Sequence, residues 1–116
     1  MGRLTTHVLD TANGRPGAGI AIELYRLDRS RERVASAVTN GDGRCDRPLL
    51  EGDALSAGTY ELEFHVGDYF AAHGQGGLAP RFLDHVVIRF GIAAPGEHYH
   101  VPLLISPFSY TTYRGS

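Results

Sequence analysis

The chain has 116 residues, 42% of them apolar and 21% charged, with a net charge of −2. This is expected to be one domain, residues 1–116, with one core, too apolar to be disordered and too close to neutral to suggest a nucleic-acid partner. All 11 basic residues are arginine and the only cysteine is Cys45, which excludes Schiff-base chemistry, a P-loop lysine, an intrachain disulfide and a Cys-based zinc knuckle.

Along the chain the dominant pattern is two-residue alternation between turn signals, the mark of half-buried strands. LTTHVLD (4–10) is a short strand closed by the turn cluster TANGRPGAG. IAIELYRLD (20–28) comes next, with Ile20, Ile22 and Leu24 on one face. RSRER then leads into VASAVT (34–39), and NGDGR (40–44) is a tight turn. TYELEFHV (59–66) alternates Tyr60, Leu62, Phe64 and Val66 against Glu61, Glu63 and His65. GDYFAAHG (67–74) is the one plausible helix, a turn or two long; FLDHVVIRF (82–90), HYHVPLLI (98–105) and SYTTYR (109–114) complete the set. Seven or eight strands joined by short turns predict an all-β sandwich with one short helix. GRPGAG (14–19) is not a phosphate loop, because it leads into a β-branched alternating strand rather than a helix with free N–H groups.

No segment is long and apolar enough to span a membrane, no N-terminal apolar run resembles a leader, and RGS is not a peroxisomal address. A cytoplasmic, reducing setting is the expectation.

Three of the six histidines stand out. His98 and His100 are two apart on one strand and share a face opposite Tyr99, Val101 and Leu103. His7 lies mid-strand, with Leu4, Thr6 and Val8 pointing the other way. If these strands adjoin, three imidazoles converge. That cluster has three readings: surface or interface histidines, a three-His zinc site, or acid–base catalysis by groups whose pKa suits neutral pH. His65, His73 and His85 read as structural or solvated, with no second polar group recurring beside them.

Arg44 comes after a tight turn, either as a solvated turn arginine or as a fixed guanidinium aimed at a planar anion or a carbonyl oxygen, with Arg47 competing for that role. Arg26, Arg29, Arg31 and Arg33 alternate with Asp28 and Glu32 and read as a solvated hairpin end. Cys45 has no base near it in sequence, and there is no GxSxG elbow, so a hydrolase here would use activated water.

Three segments together, TTHVLDTANGRPGAG (5–19), TNGDGR (39–44) and HYHVPLLISPFSYTTYRGS (98–116), resemble the 5-hydroxyisourate hydrolase family, the transthyretin-related enzymes of urate breakdown. The resemblance covers nearly the whole chain, and the YRGS ending is its most specific part. It implies a transthyretin-like sandwich assembled as a homotetramer, a dimer of dimers, with active sites in a channel between dimers. It also implies a reaction without metal or cofactor: water opens the ring of 5-hydroxyisourate to give 2-oxo-4-hydroxy-4-carboxy-5-ureidoimidazoline, on the way to allantoin. Carried onto this sequence, the functional residues are His7, Arg44, His100 and Tyr113 to Ser116. His7, Arg44, His100 and Ser116 are then the expected catalytic set. Tyr113, His98, Arg114 and Gly115, with His7 and Arg44, are expected around the substrate. Within the tail, Tyr113 would offer its phenol, Arg114 would anchor to a carboxylate, Gly115 would turn the backbone inward, and Ser116 would join a network around His7 or His100. Two alternatives remain open: a transthyretin-like carrier of a small ligand, which would want apolar channel walls, and a zinc-dependent hydrolase using the same histidines.

Overall fold

The computed structural model describes residues 1–116 as two β-sheets packed face to face. The first sheet is built around β1 (Arg3–Asp10) and β8 (Tyr99–Ile105), which run parallel, with β9 (Tyr110–Thr112) on the far side of β8. Two two-residue strands, β2 (Arg15–Pro16) and β5 (Leu50–Glu51), pair with opposite ends of β1. The second sheet is antiparallel in the order β4 (Arg31–Val38), β3 (Ala21–Leu27), β6 (Gly58–His65), β7 (His85–Ile92). A seven-residue helix, α1 (Val66–Ala72), comes directly after β6. No helix is long and apolar enough to cross a membrane.

Strict alternation decides which face each strand buries. On β1, Leu4, Thr6, Val8 and Asp10 point inward and Arg3, Thr5, His7 and Leu9 outward. On β8, Tyr99, Val101, Leu103 and Ile105 are buried. Tyr60, Leu62 and Phe64 of β6 and Ile22 and Leu24 of β3 meet them, in a cluster of 21 buried apolar residues. Truncating a fully buried member such as Leu62 to Ala costs about 2–5 kcal/mol, the lost transfer energy plus the cavity left behind.

Asp10 places a buried charge at the edge of this core. Its carboxylate accepts from the Tyr69 hydroxyl (2.6 Å), the Asn13 side-chain amide (2.6 Å) and the backbone N–H groups of Ala12 and Asn13 (3.0 Å each). Burial pushes its pKa up, but the four donors outweigh burial and hold it below the ordinary value. This network joins the turn after β1 to α1 and closes one end of the sandwich.

The sandwich and the short helix agree with the sequence pattern; several details differ. β4 begins at Arg31 rather than Val34; Arg29, Arg31 and Arg33 are exposed as expected, Arg26 is half-buried, and three of the four have specific partners. Arg31 binds Glu61 (2.9 Å), Arg33 binds Glu23 (3.1 Å), and Arg26 donates to the Tyr60 hydroxyl (2.6 Å). Their partners lie on neighbouring strands, invisible to local pattern. β7 starts at His85 rather than Phe82, because its partner β6 ends at His65, opposite His85, and the chain then turns into the helix. Residues 82–84 therefore have no strand to pair with. The glycine loop leads into a strand, as alternation requires.

Candidate active site

The outer face of the first sheet carries the predicted residues. Parallel pairing sets Thr5 against His100 and His7 against Pro102, so the two imidazoles stand on one face of adjoining strands. His100 is half-buried, and its Nδ1 lies 2.8 Å from Thr5 Oγ1. His98 sits just before β8, exposed, instead of inside the strand.

Arg44 reaches this face through a tight turn. Asn40 Oδ1 accepts from the backbone N–H of Asp42 (2.9 Å) and Arg44 (3.2 Å), and the Asn40 N–H donates to the Arg44 carbonyl (2.7 Å). Gly43 has φ +76°, and a Cβ there would collide with the Val8 carbonyl oxygen. Only glycine permits that approach. The turn then docks on β1, with Val8 N–H donating to the Gly43 carbonyl (2.8 Å) and an antiparallel bridge between His7 and Arg44. The Asp42 carbonyl lies 2.8 Å from His7 Nε2. A carbonyl only accepts, so Nε2 of His7 carries a proton.

The tail closes the other side. Gly115 N–H donates to the His100 carbonyl (2.8 Å), and a Cβ at 115 would fall 2.6 Å from Cδ2 of the His100 ring. The glycine is needed for close packing on the imidazole, and its φ is not positive. Arg114 pairs with Glu97 (3.0 Å), donates to the His98 carbonyl (3.1 Å) and lies over the Tyr99 ring at 4.1 Å, so it anchors the tail as expected.

These pieces enclose a cavity of about 350 Å³ lined by Arg3, Thr5, Thr6, Arg44, Cys45, Arg47, His98, His100 and Ser116. No lining side chain is acidic, and none of the three arginines takes part in a salt bridge within the chain (Arg31, Arg33, Arg89 and Arg114 all do). Three free guanidiniums in one concavity create a positive field suited to a small anion. Burial, then Arg44, then His7 push the His100 pKa below its ordinary 6.5, so neutral imidazole dominates at pH 7. Cys45 is half-buried, and burial together with Asp46 raises its pKa, which leaves it protonated and unsuited to attack.

Of the expected residues, Arg44, His98, His100 and Ser116 line this cavity, with His7 beside it. Arg114 and Gly115 hold the tail in place. Tyr113 instead lines a second cavity of about 380 Å³, with Ile88, Phe90, Tyr99 and Val101, at the open edge between β7 and β9. Sequence reasoning missed Arg3 and Thr5. Thr5 is two residues before His7 and shares its face, a period-2 relation that could have found it.

A model of the HIUase/Transthyretin family matches residues 4–115. The chain belongs to the HIUase/Transthyretin family. It is 60% identical to the 5-hydroxyisourate hydrolase of Pseudomonas aeruginosa, over 100% of this chain and 93% of that one. Among solved structures, the Klebsiella pneumoniae 5-hydroxyisourate hydrolase superposes with a TM-score of 0.83 at 35% identity, covering 100% of both chains. Sea bream transthyretin, solved in complex with thyroxine, superposes with a TM-score of 0.86 at 27% identity, over 97% of this chain and 94% of that one. Backbone similarity thus hardly separates the two branches of the HIUase/Transthyretin family, and the side chains must.

Proposed function

We propose that this protein hydrolyses 5-hydroxyisourate to 2-oxo-4-hydroxy-4-carboxy-5-ureidoimidazoline. The observation that carries the reading is the arginine-lined cavity, without an Asp or Glu side chain, and a half-buried imidazole held on both sides, by Thr5 and by Gly115. A carrier of apolar ligands has no use for three unpaired guanidiniums. A small, planar, polar and readily anionic ring does.

The chemistry rests on which nitrogens are free. His7 has Nε2–H committed to the Asp42 carbonyl, whereas the Thr5 hydroxyl beside His100 Nδ1 can accept or donate, and in this reading His100 takes the tautomer with the proton on Nδ1 and Nε2 as an acceptor. His100 is therefore the general base: Nε2 takes a proton from water as the water oxygen attacks a ring carbonyl carbon. The carbon–nitrogen bond of the ring then breaks, and the proton passes to the leaving nitrogen. Arg44 stands where negative charge develops on the carbonyl oxygen and stabilises it with a fixed, planar pair of donors. His7 positions the Arg44 turn through the Asp42 carbonyl. Ser116 completes the wall with its hydroxyl, and Tyr113 reaches substrate only across a subunit boundary.

That boundary belongs to the same proposal. The outer face of the first sheet leaves Leu9 and Leu104 beside the polar cavity, a mixed surface that a second copy would cover and dry. The working unit is a single-domain chain in a cytoplasmic homotetramer, a dimer of dimers. An ultraviolet assay of urate with uricase tests the activity. Adding this protein should speed the decay of 5-hydroxyisourate far beyond its spontaneous rate. Unchanged decay, together with saturable binding of thyroxine, would instead make it a carrier.

A further inference from the structure

The outer face of the second sheet carries a different constellation. His65 and His85 are directly paired across β6 and β7, and their rings stack at 4.0 Å with an interplanar angle of 15°. Glu63 is two residues before His65 and so shares its face, and Glu23 on β3 pairs with Glu63 across the sheet. Local pattern places Glu63 and His65 on one face but not Glu23 or His85 beside them, because those come from neighbouring strands. Each offers a ligand atom, and those of Glu63, His65 and His85 all lie within 4.8 Å of one another.

The orientation of the carboxylates is what distinguishes this group from scattered solvated charges. Glu63 aims Oε1 at His85 Nδ1 (3.0 Å), while its Oε2 faces Arg31 (3.4 Å). Glu23 aims Oε1 at His65 Nε2 (3.2 Å), while its Oε2 faces Arg33 (3.1 Å). In both, a guanidinium on β4 holds one oxygen and leaves the other turned toward an imidazole. That is the arrangement by which outer partners fix metal ligands in place.

We propose that Glu63, His65 and His85 form a binding site for a borderline divalent cation of the zinc type, with Glu23 as fourth ligand. Two imidazoles and two carboxylates suit zinc, whereas magnesium and calcium favour all-oxygen shells. Ligand atoms around one tetrahedral zinc stand roughly 3.3 Å apart, so the group needs only a modest contraction. His85 is partly exposed and free to make it. Arg31, Arg33 and Arg89 balance the charges of Glu23, Glu61 and Glu63, which weakens the attraction for a cation. Bound metal would clamp β6 to β7 on the sheet opposite the arginine-lined cavity.

Titration of zinc chloride into the chelator-stripped protein, monitored by calorimetry and by imidazole nitrogen resonances, tests this. One equivalent per chain should bind first and shift the His65 and His85 resonances. His85→Gln and His65→Gln should each weaken that event at least about tenfold, since even outer partners of metal sites are worth that much. Magnesium chloride should give no binding. The proposal is overturned if the first equivalent shifts only His7, His98 or His100, if both variants bind like the wild type, or if zinc shows no saturable binding.

Discussion

The two outer faces of the sandwich use the same residue types to opposite ends. On the second sheet, Arg31, Arg33 and Arg89 are paired with Glu23, Glu61 and Glu63, and the charges cancel. On the first, Arg3, Arg44 and Arg47 converge on a cavity lined by no Asp or Glu side chain. A guanidinium with a partner is already satisfied; one without a partner is poised for a ligand. Arginine content therefore says little about function, and the placement of carboxylates says a great deal.

Substitutions on the two faces should separate accordingly. The largest effect is expected from His100→Ala, which removes the proposed base and should lower kcat by about 10²–10⁴-fold, measured in the coupled ultraviolet assay. Arg44→Lys keeps the charge but loses the planar fork, and should cost roughly tenfold to a thousandfold in turnover, while Arg47→Lys stays nearly silent. The reverse ranking would move the oxyanion role to Arg47.

Next comes the tail. Gly115→Ala drives a methyl group into the His100 ring and should cost up to about 10²-fold by misplacing the base. Deleting Tyr113 to Ser116 should also abolish most activity while leaving Tm little changed, because none of the four residues is in the core. Normal turnover by the truncated chain would make the tail dispensable.

A smaller effect is expected in the pH profile. His100 titrates below 6.5, so the acid limb of kcat/KM should lie below that value, and Arg44→Met should move it upward by removing a repulsive charge. The sign also governs stability. With the folded pKa depressed, the contribution of neutral His100 is complete above pH 6.5 and is lost as pH falls toward the lower folded value. Smallest of all, Arg33→Gln on the second sheet should leave turnover unchanged and Tm nearly so, because exposed ion pairs contribute little. A large loss of activity there would break the contrast between the faces.

Local pattern made the sandwich legible. Alternation in LTTHVLD and TYELEFHV assigned both faces correctly, and the sharing of a face by His7 and His100 needed only that the strands adjoin. Relations across strands were not legible. The two-residue strands β2 and β5 bury too little to leave a pattern, Arg31 finds its carboxylate 30 residues away, and the pairing of His65 with His85 depends on register. Arg3 escaped notice because a terminal arginine on a strand looks like any other, until the fold sets it beside Arg44 and Arg47.

The contact between Thr5 and His100 spans 95 positions of sequence. Its strand pair can form only after nearly the whole chain is available, and closing so long a loop costs entropy that no local contact repays first. The pairings of the second sheet lie closer in sequence, the most distant joining Ile22 to Phe64, and wait for less of the chain. Refolding monitored by circular dichroism should therefore run ahead of recovered hydrolysis, with the last strand to dock timing the appearance of the enzyme.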